Sequence, residues 1–519
     1  MRTFKRMNVV LDVLFWGAAV CLLVIAGSLQ WMGDSGFQIA SFYILVIAVL
    51  FFDAGVVAHG AFHFRRDMPL LLFVLVYNIL LLGRVYFNCL YYRHRLLSAL
   101  EADSWRDVYL AVCVVLIALI AFTAVYYLVG PVFRGREAQM ERGERSPQRA
   151  VVPLLRQISR VAVYITAIPF FAILVIRAYG VLRNGYLASF TQTSDLPGVV
   201  TRLSTLFVPS FVVFLGTMPT LRQMRGPLAV YVIYMAASIF TGRRNMLVTE
   251  ALMLMAYFFF RDAIRPKARR RLNWKWTIPI LLIGILGCYA LQQMAYMRSG
   301  YVNWNRSIFS VLMSFMDSQG ASFRVVMQTI NNQGEVWAVD NPLAFLFYPF
   351  ELFIRNNTVF STLFGLTPIV EVQTTDFVQD THNYAHWLTY HVDPLRYIRG
   401  GGFGTSFVAE SYAACGVLGV IVVAAILAVV FRWLPSLLTR NWLGIAVGLY
   451  MFRMLIYTPR NFAFSWITDT FSITNVVYVA VLYMVSLLVM QIGAHLHRPD
   501  KPPPPRLRVR IRLRHTIGG

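Results

Sequence analysis

The sequence predicts an all-α polytopic integral membrane protein, and three observations carry that prediction. Hydrophobic residues fill 58% of 519 positions and charged residues only 14%, with a mean hydropathy of +0.60, a balance outside the range of soluble domains. Apolar runs recur along the whole chain, most of them near the length that crosses a hydrocarbon core of about 30 Å. The basic residues behind the net charge of +23 gather in short connections between these runs, where membrane topology accounts for them better than a nucleic-acid partner does. A bilayer core offers no water to an unpaired amide, so the spans must be helices that satisfy their own backbone groups.

Twelve spans follow in order, at 8–29, 38–59, 69–87, 108–129, 159–180, 203–220, 227–241, 246–260, 276–297, 406–431, 442–457 and 473–493. With the N-terminus (Arg2, Lys5, Arg6) in the cytoplasm, the inside connections hold Arg65 and Arg66, the 134–160 run, Arg222 and Arg225, the 261–275 run, and Arg432 and Arg440. With both termini added, about 30 of the 47 Lys and Arg lie on that side, as the positive-inside rule requires. The first run is too long for a signal-peptide core and lacks a clear cleavage site, so it counts as a span. The chain divides into helices one to nine over 8–297, a large extracytoplasmic loop over 298–405, helices ten to twelve over 406–493, and a basic cytoplasmic tail over 494–519.

That loop carries most of the polar chemistry. A connection of about a hundred residues is far longer than ordinary links. Apolar residues at helical spacing (Ile308, Val311, Leu312, Phe315, then Pro342 to Phe353) and a density of aromatic side chains predict a folded helical cap over the membrane. The five cysteines, four of them inside spans, show neither disulfide nor metal spacing.

Three features point to chemistry. The apolar stretch from Pro227 to Phe260 is interrupted only by TGRRN and Glu250. As one helix it would be about 51 Å long, so it turns back at TGRRN and places Arg243 and Arg244 near the outer surface, where adjacent guanidiniums need anionic partners. Glu250 or a lipid head group would serve, and so would a lipid diphosphate. Single arginines end other spans on the same side: Arg84, Arg177, Arg298 and Arg453. Each alone is an interfacial anchor; together they form a positive rim, and guanidinium binds phosphate oxygens in bidentate fashion. Finally, RGGGFGTSFVAES, from Arg399 past Glu410 to Ser411, is a glycine run opening a span from the outside, with backbone amides and a helix dipole facing the cap. Just upstream, Asp380, His382, His386, His391 and Asp393 cluster in DTHNYAHWLTYHVD. His382 and His386 are four apart, a metal-like spacing if helical, but no HExxH pattern is present. A proton acceptor for a sugar hydroxyl is the better reading, with His382, Asp380, Asp376 and His391 all open as the base.

Taken together, the hairpin with its Gly242-Arg243 turn, the basic loop after it, the span ending in Arg298, the large outside loop and GGGFGTSFVAESYAACGVLGV resemble the Wzy-type O-antigen and exopolysaccharide repeat-unit polymerases over about 160–490. Some members carry arginine, ten residues, then glycine in outside loops; here Arg324 to Gly334 and Arg355 to Gly365 are each one residue short. The resemblance implies a GT-C-like glycosyltransferase of the bacterial inner membrane, with both termini cytoplasmic and the active site facing the periplasm. It would pass the growing glycan from undecaprenyl diphosphate to the non-reducing end of a new lipid-linked unit, producing O-antigen, capsule or another envelope glycan. Expected partners are the lipid-linked oligosaccharide, membrane lipid and a chain-length regulator protein, without nucleic acid, metal or cofactor. The expected site is His382, Asp380 and Glu410 for catalysis, with Arg243, Arg244, Arg298, Arg399 and Arg453 on the diphosphate.

No Asp-x-Asp pair of the kind that holds a metal-nucleotide complex is present. Two other activities use the same donor. An O-antigen ligase would transfer the glycan to lipid A core, and the His382-Asn383 pair fits it. A flippase would need charges along a membrane path, for which Asp12 and Asp53 are too few.

Overall fold

The computed structural model describes residues 2–33, 35–91, 96–100, 102–133, 150–184, 198–241, 244–264, 277–298 and 306–496, and no strand occurs among them. Ten helical segments there are long and apolar enough to cross a membrane, including Val10–Trp31, Phe407–Leu438 and Ser465–Gly493. The two other expected spans are helices as well, Arg244–Ala263 and Thr277–Arg298. The tail after residue 496 and the basic 134–149 linker lie outside the described residues.

The membrane helices are α1 (Arg2–Trp31), α2 (Ser35–Phe62), α3 (Phe64–Tyr77), α4 (Gly83–Tyr91), α5 (Leu96–Leu100), α6 (Trp105–Leu128), α7 (Val152–Asn184), α8 (Gly198–Thr205), α9 (Phe207–Gly216), α10 (Leu221–Ser238), α11 (Arg244–Ala263) and α12 (Thr277–Arg298). A π-helical turn, Asn78–Leu82, joins α3 to α4. The cap follows as α13 (Ile308–Gln319), α14 (Ser322–Asn331), α15 (Gln333–Trp337), α16 (Leu343–Arg355), α17 (Thr358–Phe364), α18 (Thr375–Asp380), α19 (Tyr384–Val392) and α20 (Pro394–Ile398). Then α21 (Phe407–Leu438), α22 (Trp442–Leu455), α23 (Ser465–Thr470) and α24 (Ile473–Leu496) return to the membrane.

The turn required inside Pro227–Phe260 is present. After α10 ends, a 3-10 turn covers Ile239–Thr241, α11 begins at Arg244, and the two helices pack side by side. Both arms are longer than the apolar run alone indicates, because Arg222, Arg225 and Arg261 lie inside the helices. Arg432 is likewise not in a connecting loop. It lies within α21, where its Nη1 reaches the buried Asp67 carboxylate at 3.2 Å.

Cap helices begin where short polar side chains accept the first free amides: Ser307 from Ser310, Thr374 from Phe377, Asn383 from His386 and Asp393 from Arg396. Their apolar faces then fix the cap to the membrane part. On α13, Val311 and Phe315 are buried while Ile308 is exposed; α16 buries Phe345, Leu346, Tyr348 and Pro349. α13 packs on α4 and α12, α14 on α6, and α16 on α21 and α23. Helix α21 bends at Cys415 and Gly416, where Gly416 has φ of +60° and ψ of −147°, a region essentially closed to other residues. Gly416→Val is therefore expected to cost about 1–3 kcal/mol, read as a lowered unfolding midpoint in detergent. An unchanged midpoint would remove this account of the bend.

Candidate active site

Glu250 is wholly buried on α11. Its carboxylate receives Arg453 Nε from α22 and the Tyr231 hydroxyl from α10, and the Tyr234 hydroxyl lies at 3.3 Å. A charge at this depth is tolerable only when paired and hydrogen-bonded. Glu250 is thus committed to Arg453, as the sequence alone did not foresee. Arg453 is held by Glu250 and by the Tyr234 hydroxyl; its side chain is 11% exposed and its Cζ lies 5.4 Å from the Tyr450 ring centre.

Above it, cap and membrane helices meet along a seam rich in arginine. Gly320 ends α13 directly against the Arg84 backbone, so close that an added Cβ would lie 2.9 Å from that of Arg84. Arg84 Nε reaches Asp317 Oδ1 at 3.2 Å, and Arg460 Nη1 reaches the Gln319 carbonyl at 3.4 Å. From α14 and α20, the guanidiniums of Arg324 and Arg396 lie 4.5 and 4.8 Å from the Phe403 ring centre. Burial pushes the Arg324 pKa down to about 10, and the positive charges of Arg396 and Arg84 add to that, with Asp393 offsetting part. Like charges held this close suit an anionic ligand.

The outer face of the cap holds a second network. His382 Nδ1 lies 3.0 Å from Glu351 Oε2, and Arg355 binds Glu351 at 3.2 Å, Asp380 Oδ2 at 2.5 Å and the Thr367 carbonyl at 3.0 Å. Burial disfavours the charged Arg355, but the hydrogen bonds and charge of Asp380, then those of Glu351, outweigh it and raise its pKa. Tyr348 donates to Glu371 at 3.2 Å, and Asp469 feels the charges of both Arg453 and Glu371. Carboxylates and arginines therefore run from the cap down toward Glu250.

The O-antigen polysaccharide polymerase Wzy family matches residues 15–492. The chain belongs to that family. No curated protein and no solved structure matches it. Membership in the Wzy family brings, at family level, a polymerase activity on lipid-linked oligosaccharide in a membrane setting.

In this Wzy-family protein the structure brings His382 and Asp380 into one network, joined by Glu351 and Arg355. Glu351 lies in an apolar run that carries no site signal in the sequence, and the spacing of Arg355 to Gly365 is one residue short of the pattern some family members carry. His382 and His386 do not share a helical face, since His382 precedes the Asn383 cap and only His386 lies on α19. His386 Nδ1 instead meets the Tyr397 hydroxyl at 2.9 Å, beside Phe377. Glu410 is wholly buried in the first turn of α21, where its carboxyl takes the Thr405 hydroxyl at 2.5 Å and the Ala463 amide at 2.9 Å. At the start of α21 the Ser406 hydroxyl accepts from the Val408 amide, so one of the amides that the glycine run offers to a ligand is already bonded. Among the glycine-run amides, Gly400, Gly401 and Phe403 are bonded within the cap. Arg399 is exposed. Arg243 lies outside the described residues, as do the side chains of Arg244 and Arg298, which begin α11 and end α12.

Removing one partner of a buried pair strands the other, at a cost of about 3–5 kcal/mol. Glu250→Ala should lose that much stability in thermal unfolding, whereas Glu250→Leu combined with Arg453→Met should regain most of it. Burial pushes the His386 pKa from 6.5 down to about 4. Between these values the unfolded chain binds the extra proton, so stability should fall on acidification by at most about 1.4 kcal/mol per pH unit. Denaturation series from pH 6.5 to 4 should show that slope flattened in His386→Phe.

Proposed function

We propose that the protein extends a glycan by moving it from undecaprenyl diphosphate to the non-reducing end of a fresh lipid-linked repeat unit, on the side of the membrane that carries the cap. The observation that supports this most directly is the gathering of Arg84, Arg324, Arg396 and Arg460 along the seam beneath the cap. A sugar joined to a lipid diphosphate is already activated. The protein needs to hold the diphosphate, stabilise its charge as it leaves, and accept one proton.

In this scheme the seam arginines bind the phosphate oxygens, and Arg453, which is paired with Glu250, joins them there. Arg243, Arg244 and Arg298 are assigned to the same set from the sequence alone, and exposed Arg399 is assigned to the approach. The acceptor hydroxyl oxygen bonds to the anomeric carbon as that carbon's bond to the diphosphate breaks. The electron pair leaves on the diphosphate of the carrier lipid, and the hydroxyl proton passes to His382 Nε2. Glu351, at 3.0 Å from Nδ1, orients the imidazole. Asp380, held by Arg355, positions this part of the cap, and Glu410 ties the glycine loop to the 463 region. The basic connections favour cytoplasmic termini and a periplasmic cap.

Proteoliposomes supplied with a single lipid-linked repeat unit should form a ladder of products. His382→Ala should lower the rate by about 10²–10⁴-fold, Glu351→Gln should lower kcat with little change in KM, and Arg324→Ala should raise KM. A wild-type protein that forms no ladder, or a His382→Ala variant with normal turnover, would overturn the scheme.

A further inference from the structure

A cavity of about 800 Å³ runs between α9, α22 and α24, within the size range of ligand sites. Its walls are largely apolar, with Val212, Ala446, Val447, Val476, Val479 and Ala480 among them. From Ile473 to Tyr483 it follows about 15 Å of helix, about half of a hydrocarbon core of about 30 Å. The two ends differ. Away from the cap it reaches the turn between α21 and α22, where the Asn441 side chain is used to cap α22 by accepting from Gly444 at 2.7 Å, and Arg440 is exposed.

At the cap end it is lined by Tyr450, Thr470, Phe471 and Asn475. Thr470 is only 7% exposed, and its hydroxyl has no hydrogen-bond partner among the described residues. Tyr450 lies under the Arg453 guanidinium, and Asn475 donates to the Asp469 carbonyl at 2.8 Å. An unsatisfied hydroxyl at one end of a long apolar groove, beside a Tyr450 ring that carries a guanidinium on its other side, fits an amphiphile with an anionic head and a hydrocarbon tail.

Resting on the polymerase reading above, we infer that this groove holds the polyisoprenoid chain of the diphosphate carrier lipid, with the first isoprene units between Tyr450 and Thr470 and the diphosphate rising past Arg453 toward the seam. The groove then sets how the donor enters, from the bilayer between α22 and α24, and it reads the carrier rather than the sugar. Short-chain donors lose that contact.

Photolabelling with a fifty-five-carbon polyprenyl diphosphate bearing a diazirine near its tail reads occupancy without turnover. In vesicles of phosphatidylethanolamine and phosphatidylglycerol, adducts are expected on α24 between Val476 and Tyr483, competed away by untagged carrier. Ala480→Trp, at an exposed position on the groove wall, should cut labelling about ten-fold, and Val447→Trp provides a second blockage from α22. Both should raise the KM of a full-length donor while leaving that of a ten-carbon donor unchanged. Equal competition by phosphatidylglycerol, which would make this a groove for ordinary acyl chains, overturns the inference. So does labelling that neither tryptophan reduces. Groove adducts without any ladder would remove the polymerase reading alone, whereas a normal ladder without groove adducts would remove the groove alone.

Discussion

Glu250 is the constraint on which the cap-side half of the molecule depends. A carboxylate without exposure, at a depth where water is scarce, must collect donors from whatever helices can bring them. Tyr231 and Tyr234 come from α10 and Arg453 from α22. Their convergence fixes three helices against one another and fixes the direction of the guanidinium. Arg453 uses Nε for this bond, and its guanidinium lies over Tyr450. The same ion pair thereby serves as a structural knot and sits behind the Tyr450 ring that lines the apolar groove.

A second knot at the opposite end of the helices works by the same logic. Asp67, also wholly buried, receives Arg66 through two bonds of 2.8 Å, Arg432 at 3.2 Å and the Tyr126 hydroxyl at 3.3 Å. It joins α3 and α6 to the long α21, which rises from there to its bend at Gly416 and into the cap. Between the two knots the packing is apolar and aromatic, with Phe73, Phe122 and Phe431 in mutual contact. The cap is then attached by polar groups that would be costly to bury alone. Thr329 and Tyr384 share a hydrogen bond of 2.6 Å across two cap helices, and Glu410 joins the glycine loop to the Ala463 amide.

Some of the site was visible in the residue order and some was not, for reasons of range. The turn within Pro227–Phe260 was legible because helix length against bilayer thickness is a local constraint. His382 and Asp380 stood out because they are two residues apart in a polar run. Glu351 did not, since it sits in the apolar α16, thirty-one positions before the histidine it meets. Arg84, Arg324, Arg396 and Arg460 belong to four separate segments, and no spacing rule joins them. Glu410 misled for a related reason: a carboxyl at the first turn of a helix under a glycine loop looks available until Thr405 and Ala463 are placed around it.

By itself, the sequence determined that this chain forms apolar helices in a bilayer, where it must turn, that a folded cap lies between helices twelve and twenty-one, and the family to which it belongs. Those follow from hydropathy, length, short-range spacing and short motifs. The tertiary structure decided which charges neutralise one another inside the protein and which remain for a ligand. That choice depends on partners far apart in the chain, because the energy of a buried charge is set by the few side chains within reach in space.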